Sequence, residues 1–257
     1  MKGFQYSNNF MHIIDSHIHC GVQNVCQPFE MIQPLLEKAG IAGACLFAPV
    51  EDIYDRYDPA FDDTPNWEKC RHRAHDYLLD LAARHRTVIP YFFVWNDFNI
   101  DGLKHAFRGI KWHHHAGEPP YHYADSRCTQ MIDAICDKKL PIVLEETFER
   151  TLLFINQVAE RTPIIIPHLG MLNGGFETLL DAGVWDNPAV YADTALASPH
   201  EITSFLKRYG AGRLIFGSDF PFGLPGPQLE GLRRLDIAPD ALEAICSENI
   251  LKLIKPN

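Results

Sequence analysis

Two histidines one residue apart, His17 and His19, are the first residues of the sequence that could do chemistry. In an extended strand, alternate side chains point to the same side, so both imidazoles lie together with Asp15. Neutral imidazole nitrogens are common ligands of divalent metal ions. Because His-x-His pairs also occur on surfaces that bind nothing, the pair indicates a metal site only if further ligands converge on it.

Side chains able to bind a metal or to carry a proton also end four later apolar segments. They are Lys111 and His113, then Glu145, His168 and Asp219. Chance placement would supply one or two such ends rather than five in all. If the segments are parallel strands of one barrel, their ends meet at one mouth, where barrel enzymes keep their catalytic residues. The sequence therefore predicts a metal site at these strand ends.

Short apolar segments alternate with helical segments along the whole chain. Eight of them read as strands: Met11–His17, Ala42–Phe47, Val88–Trp95, Gly109–His113, Leu140–Glu145, Pro163–His168, Ala189–Asp193 and Arg213–Asp219. This alternation predicts parallel strands joined by helical crossovers. Eight units in about 250 residues favour a closed (β/α)8 TIM barrel, and the Gly-x-Gly-x-x-Gly signature of an open dinucleotide-binding sheet is absent. We predict a single domain over residues 1–257.

Three motifs together resemble those of the amidohydrolase superfamily: His17-x-His19, Pro167–Gly170 and Gly217–Pro221. With Tyr191–Thr194 and Ser247–Ile250, the chain is similar to the branch of metal-dependent hydrolases related to aminocarboxymuconate-semialdehyde decarboxylase. The resemblance implies a (β/α)8 barrel, a divalent metal that is usually zinc, and a metal-activated water. It also implies that His17, His19 and Asp219 are metal ligands, and that His168 is a ligand or an acid–base residue. Asp219 and His168 are thus the candidate catalytic residues.

Glu145 departs from this resemblance, because members of the branch typically end strand five with a metal-binding histidine. A carboxylate can also bind zinc, and it shifts preference toward harder ions such as manganese. We favour Glu145 as a ligand, with a general base as the alternative. Glu146 is expected to point the other way, to solvent or to a helix.

Lys111 and His113 share one face of strand four. In some superfamily members a lysine of this strand is carboxylated and bridges two metals, whereas the plainer role, which we prefer, is an ammonium that pairs with a substrate carboxylate. His113 is a further ligand or a substrate contact. Asp193 is a candidate substrate contact, or else it bonds to a neighbouring loop. Asp15 is expected to hold a metal-bound imidazole through its other nitrogen.

The leading functional prediction is hydrolysis of an amide, ester or lactone bond by a metal-activated water. The small-molecule substrate would carry an anionic group near Lys111 or Arg108. The alternative is a metal-dependent lyase that decarboxylates an unsaturated or aromatic carboxylate. A third class, a metal-binding protein without catalysis, is disfavoured because acid–base candidates accompany the ligands.

Composition limits the partners and the compartment. The 257 residues carry 23 basic and 33 acidic side chains, and the net charge of −10 argues against nucleic acid. The apolar segments are too short to span a bilayer. Seven cysteines without a Cys-x-x-Cys pair are typical of free thiols in a reducing cytosol, so we predict a cytoplasmic protein. Whether it forms a homo-oligomer is left open.

Two long connections and the remaining histidines complete the expectations. The segments Pro49–Pro65 and His114–Asp125 interrupt the strand–helix rhythm and are predicted to be functional or mobile loops at the barrel mouth. Within the second segment, His114 is expected to face away from the site and His115 to lie in the loop. Five histidines in helical segments are expected to be exposed or at helix ends: His72, His75, His85, His105 and His200.

Overall fold

A computed structural model describes residues 12–254 and contains one eight-stranded parallel barrel. Its strands are β1 Ile13–His19, β2 Ile41–Phe47, β3 Val88–Phe93, β4 Gly109–His113, β5 Ile142–Glu145, β6 Ile164–Ile166, β7 Val190–Asp193 and β8 Leu214–Ile215. Each strand pairs in parallel with the next one in the sequence. The predicted (β/α)8 TIM barrel is confirmed, while the domain limits 1–257 stay a prediction.

Backbone hydrogen bonds close the barrel between β1 and the segment that follows β8. The amide of Ser16 donates to the carbonyl of Phe216 at 3.0 Å, and the amide of Asp219 donates to the carbonyl of His17 at 2.8 Å. These bonds bring the end of β1 beside Asp219. Two candidate site residues therefore become neighbours although about 200 residues separate them in the sequence.

Helices cover the outer surface of the barrel. They are α1 Phe29–Ala39, α2 Pro65–Arg84, α3 Ser126–Asp137, α4 Phe148–Val158, α5 Phe176–Asp181, α6 Pro199–Tyr209, α7 Pro225–Arg233, α8 Pro239–Glu243 and α9 Asn249–Leu253. Local signals set several ends: α1 stops at Gly40, whose φ of 71° suits glycine, and Ser198 with Glu201 forms a capping box before α6. A short antiparallel hairpin pairs Gly21–Val22 with Cys26–Gln27.

The inside of the barrel has two parts of opposite character. The lower interior, toward the strand starts, is a buried apolar cluster to which seven strands and α9 contribute: Ile14, Cys45, Tyr91, Val143, Ile165, Tyr191, Ile215, Ile250 and Ile254. The upper interior, toward the strand ends, holds the polar side chains His17, Lys111, Glu145 and Asp193, each at most 2% exposed. Gly109 makes room for the lower interior, since a Cβ there would lie 2.3 Å from the Tyr91 ring.

The connection after β2 is packed down over most of its length. Tyr54 is fully buried and stacks on Trp95 with a centroid distance of 3.9 Å. Arg71 of α2, also buried, donates to the Ile53 carbonyl and to the carboxylates of Asp63 and Asp97. This connection is therefore anchored to the barrel near both of its ends.

No helix among the described residues is long and apolar enough to cross a bilayer. All seven cysteines lie in the described part of the chain as free thiols, and six of them are buried.

Candidate active site

A cavity of about 720 Å³ opens at the C-terminal ends of the strands. His19, Glu145, His168 and Asp219 line its floor. One part of the wall is polar and comes from the loop after β2, the end of β4 and the loop that follows β4: Arg56, His113, His115 and Glu118. The other part is apolar and includes Met171, Leu172, Leu196 and Phe222. The cavity therefore suits a small molecule with both a polar and an apolar portion.

His17, His19 and Asp219 form a first group of potential ligands. Oδ1 of Asp219 lies 3.4 Å from Nε2 of His17 and 3.3 Å from Nε2 of His19. Ligand atoms about 2.0–2.1 Å from a tetrahedral zinc ion stand roughly 3.3 Å apart, so this spacing fits a metal. Asp219 has a φ of 58°, in the left-handed region, and its amide is fixed by the His17 carbonyl.

His17 also belongs to a second group, with Glu145 and His168. Oε1 of Glu145 lies 3.9 Å from Nε2 of His17 and 3.9 Å from Nε2 of His168. The five residues predicted as metal ligands thus come together around His17. Neither His168 nor Asp219 ends its strand as predicted, because both follow their strands in left-handed turns with φ near 57°.

Asp193 holds this arrangement in place from behind. Its Oδ2 accepts from Nδ1 of His17 at 2.8 Å, and its Oδ1 accepts from the His168 amide at 2.8 Å. The Nδ1 atom of His168 faces the Ala195 carbonyl at 3.0 Å. Protons on both Nδ1 atoms leave both Nε2 lone pairs directed at the site.

Asp15 was expected to hold an imidazole, but it bonds to backbone instead. Its Oδ1 accepts from the amides of His17 and Ser218 at 3.1 and 2.9 Å. The expectation was wrong because β1 is irregular between Asp15 and Ile18, so simple alternation of side chains does not hold there.

Lys111 lies under the site and is fully buried. Its Nζ donates to Oε1 of Glu145 and lies 3.2 Å from Nε2 of His17. Burial raises the pKa of Glu145, but Lys111 and His113 outweigh it and hold the pKa well below its usual range. Burial, and then Lys111, lowers the pKa of His17. Glu145 is therefore ionised and His17 neutral, which are the forms that bind metals.

Asp219 is ionised as well. Burial raises its pKa, but His17 and His19 more than offset that effect and hold the pKa at about 2.

Three residues that the sequence did not single out complete the polar wall together with His115: Tyr54, Arg56 and Glu118. Glu118 accepts from the Tyr54 hydroxyl and from Nε of Arg56, each at 2.7 Å. Nε2 of His115 lies 2.8 Å from Oε2 of Glu145, and Nε2 of His113 lies 3.3 Å from the same oxygen. Only the run of three histidines pointed to this wall in the sequence.

His114 and Glu146 directly follow β4 and β5, and their side chains point away from the site, opposite to His113 and Glu145, as alternation requires. Glu146 is 1% exposed and bonds to Nδ1 of His114 at 2.9 Å and to the Tyr123 hydroxyl. The prediction of a solvent or helix contact for Glu146 was wrong, because the connection after β4 folds over this carboxylate and covers it. Bonding to Glu146 raises the pKa of His114.

Arg108 does not approach the cavity. It precedes β4 and lines a separate depression at the opposite end of the barrel, together with Lys104 and Lys139. The prediction that Arg108 meets a substrate anion was therefore wrong, and Arg56 is the arginine that lines the cavity.

Residues 14–255 match the protein family described as Amidohydrolase. The chain belongs to this family. Among curated proteins, none matches the sequence significantly. The resemblance seen in the motifs is confirmed for the family, and the match spans the whole barrel of this amidohydrolase.

Solved structures with the same fold include a hydrolase candidate and two decarboxylases. A candidate 2-pyrone-4,6-dicarboxylic acid hydrolase from Pseudomonas putida has a TM-score of 0.68 at 16% identity, over 95% of this chain and 97% of that chain. 2,6-Dihydroxybenzoate decarboxylase from Rhizobium has a TM-score of 0.69 at 13% identity, over 95% and 98%. Dihydroxybenzoic acid decarboxylase from Polaromonas sp. JS666, with bound manganese and 2-nitroresorcinol, has a TM-score of 0.67 at 12% identity, over 95% and 96%.

Because the chain belongs to the Amidohydrolase family and has the fold of its enzymes, it is an enzyme of the amidohydrolase superfamily. At these identities the structural neighbours establish the fold alone.

Proposed function

We propose that the chain is a metal-dependent hydrolase that cleaves an amide, ester or lactone bond of a small anionic substrate. One observation carries the proposal: two overlapping groups of potential ligands meet at the cavity floor, one of His17, His19 and Asp219 and one of His17, Glu145 and His168, and the ligand atoms of each group lie within 4.8 Å of one another. We infer zinc as the metal, with manganese as the alternative because Glu145 and Asp219 are hard oxygen ligands. The protein is expected to act in the cytoplasm.

A divalent ion in this group would lower the pKa of a bound water from about 15.7 toward 7 and polarise a carbonyl. The chain supplies the proton path. Oδ1 of Asp219 faces His17 and His19, so Oδ2 is free to accept a proton from the attacking water. With His168 as the acid–base residue instead of a ligand, its Nε2, 3.9 Å from Oδ2, would receive that proton and pass it to the leaving group.

Substrate contacts divide between the two parts of the cavity wall. Arg56 lines the polar part and is the group we assign to the anionic portion, and His113 beside it stays the predicted ligand or substrate contact. Leu196 and Phe222 would pack against its apolar portion. Lys111 and Asp193 do not line the cavity, so we assign them to holding Glu145 and His17 rather than to the predicted substrate contact.

A decarboxylase is the second candidate, because two of the three structural neighbours described above carry that activity in their names. In that reaction the acid–base pair of His168 and Asp219 would deliver a proton to the carbon that loses carbon dioxide.

The test uses purified protein loaded with zinc or manganese and a panel of lactones, esters, amides and aromatic acids, some of them carboxylated. Hydrolysis in H₂¹⁸O places one labelled oxygen in the acid product, and the double variant His17→Ala/His19→Ala should lose turnover together with the ion that these two histidines bind. His105→Ala, exposed in the depression at the opposite end of the barrel, is the control. Carbon dioxide release without ¹⁸O uptake would establish the lyase instead. A double variant that kept its metal and its activity would contradict both.

A further inference from the structure

The two carboxylate oxygens of Glu145 face different sets of imidazoles. Oε1 lies 3.9 Å from Nε2 of His17 and is held by Lys111. Oε2 lies 2.8 Å from Nε2 of His115 and 3.3 Å from Nε2 of His113. Glu145 therefore stands between the ligand group described above and a separate pair of histidines.

This pair of histidines has the spacing and orientation of metal ligands. Ligand atoms bound to one tetrahedral zinc ion stand roughly 3.3 Å apart, which is close to the distances from Oε2. The rings lie side by side, with centroids 4.2 Å apart. Both therefore present an Nε2 atom to the same oxygen.

Glu118 faces the opposite side of both rings. Its oxygens lie 3.5 Å from Nδ1 of His113 and 3.6 Å from Nδ1 of His115. A carboxylate behind a ligating imidazole fixes the ring and keeps its proton away from the metal. Nδ1 of His113 also faces the Tyr54 hydroxyl at 3.2 Å. Glu118 is itself a potential ligand beside these two histidines, but bonds from Tyr54, Arg56 and the His115 amide occupy both of its oxygens, so we assign it to positioning the rings.

Charge and access also favour a cation here. Four carboxylates lie in the upper interior and the polar wall: Asp193, Asp219, Glu145 and Glu118. Among the described residues that contact them, Lys111 and Arg56 supply the positive charges. His113, His115 and Glu145 line the open cavity, and the His115 side chain is 24% exposed, so an ion can reach them. Nη2 of Arg56, 3.1 Å from Nδ1 of His115, competes with this arrangement, and Oε1 of Glu51 lies 3.8 Å from Nη1 as an alternative partner for Arg56.

We propose that Nε2 of His113, Nε2 of His115 and Oε2 of Glu145 bind a second divalent cation. Glu145 is then shared between two ions. The inference goes beyond the proposed function and rests on it only through the placement of Glu145 at the first site.

The test counts metal ions per chain without any substrate. Protein stripped with a chelator is reloaded with Zn²⁺ or Mn²⁺, desalted and measured by inductively coupled plasma mass spectrometry. Wild type should bind two ions per chain, and His115→Asn and His19→Asn should each bind one. His114→Asn is the matched control, since His114 is the adjacent histidine and contacts Glu146 instead; it should bind two.

A single ion in wild type that is lost in His19→Asn and kept in His115→Asn overturns the second site and leaves the proposed function intact. Circular dichroism melts show whether each variant is folded. Anomalous scattering from wild-type crystals soaked in Mn²⁺ gives an answer that needs no variant. Two peaks, one on each side of Glu145, support the proposal, and one peak among His17, His19 and Asp219 overturns it.

Discussion

The lower and upper interior of the barrel are built from the same strands but have opposite chemistry. On β5, Val143 belongs to the lower interior and Glu145, two residues later, to the upper. On β7, Tyr191 and Asp193 make the same change. The lower interior buries apolar side chains that have one another as neighbours. The upper interior buries charges that need specific partners.

This difference assigns stability and function to different ends of the same strands. Buried apolar surface contributes roughly 25 cal/mol per Å², whereas a buried charge gains little net stability even when it is paired. Left-handed turns at His168 and Asp219, which cost of order 1–3 kcal/mol each, also lie only at the upper end among these interior residues. We therefore expect upper substitutions to remove activity and lower ones to remove stability.

The largest effect is expected for Asp219→Asn. The change keeps the shape of the side chain but removes the charge that faces His17 and His19 and the base that takes a proton. Turnover of the best substrate should fall about 10³-fold, while the unfolding free energy should fall by less than it does in Ile165→Ala, described next. Asp236→Asn, an exposed aspartate in the connection after α7, should change neither. A large loss of stability in Asp219→Asn would break the division between the two interiors.

Ile165→Ala tests the lower interior. Ile165 is 1% exposed, and its truncation leaves a cavity that should cost about 2–5 kcal/mol of unfolding free energy, measured by urea denaturation. Ile165→Val, which removes one methyl group, should cost about 0.5–1.5 kcal/mol. Both variants should keep the metal content of wild type. Loss of metal from folded Ile165→Ala would show that the two interiors are coupled.

The same division explains what the sequence could predict. The residues at and just after the strand ends converge because the topology requires it, so the placement of His17, Glu145, His168 and Asp219 at the barrel mouth could be predicted from position and residue type alone. Tyr54, Arg56 and Glu118 could not, because their positions depend on how two loops fold against each other. That folding rests on the burial of Arg71 with Asp63 and on the stacking of Tyr54 on Trp95, which no local pattern encodes.

Asp193→Asn sharpens the comparison inside the upper interior. Asp193 does not line the cavity, and its side chain bonds to the His17 ring and to the amides of His168 and Ala195. Loss of its charge should weaken metal affinity about 10–100-fold, measured by competition with a chelating dye. Saturating metal should restore turnover, and this rescue separates a positioning residue from one that contacts the substrate. If turnover stayed low at saturating metal, the predicted substrate contact would be favoured instead.

At neutral pH the smallest effect comes from a buried imidazole outside the barrel interior. His75 was expected to be exposed, but it is 6% exposed, stacks on Phe92, and its Nε2 accepts from the Phe93 amide at 3.1 Å. The sequence did hold a signal for this burial, because His75 stands three residues before the buried Leu78 and therefore lies on the same, inner face of α2. Burial lowers its pKa from 6.5 to about 3.

The sign of the pH effect follows from that shift. Because the unfolded chain takes up the proton first, His75 makes stability fall as the pH drops from about 6.5 toward about 3, by up to about 1.4 kcal/mol per pH unit. His75→Gln keeps an acceptor near the Phe93 amide and does not titrate, so its unfolding free energy should depend less on pH between 4 and 6 than that of wild type. Both proteins are compared without metal, so that the upper interior contributes equally to each. Equal dependence of the two unfolding free energies on pH would mean that His75 takes up its proton as readily in the folded protein as in the unfolded chain. Burial of His75 would then not lower stability at acidic pH.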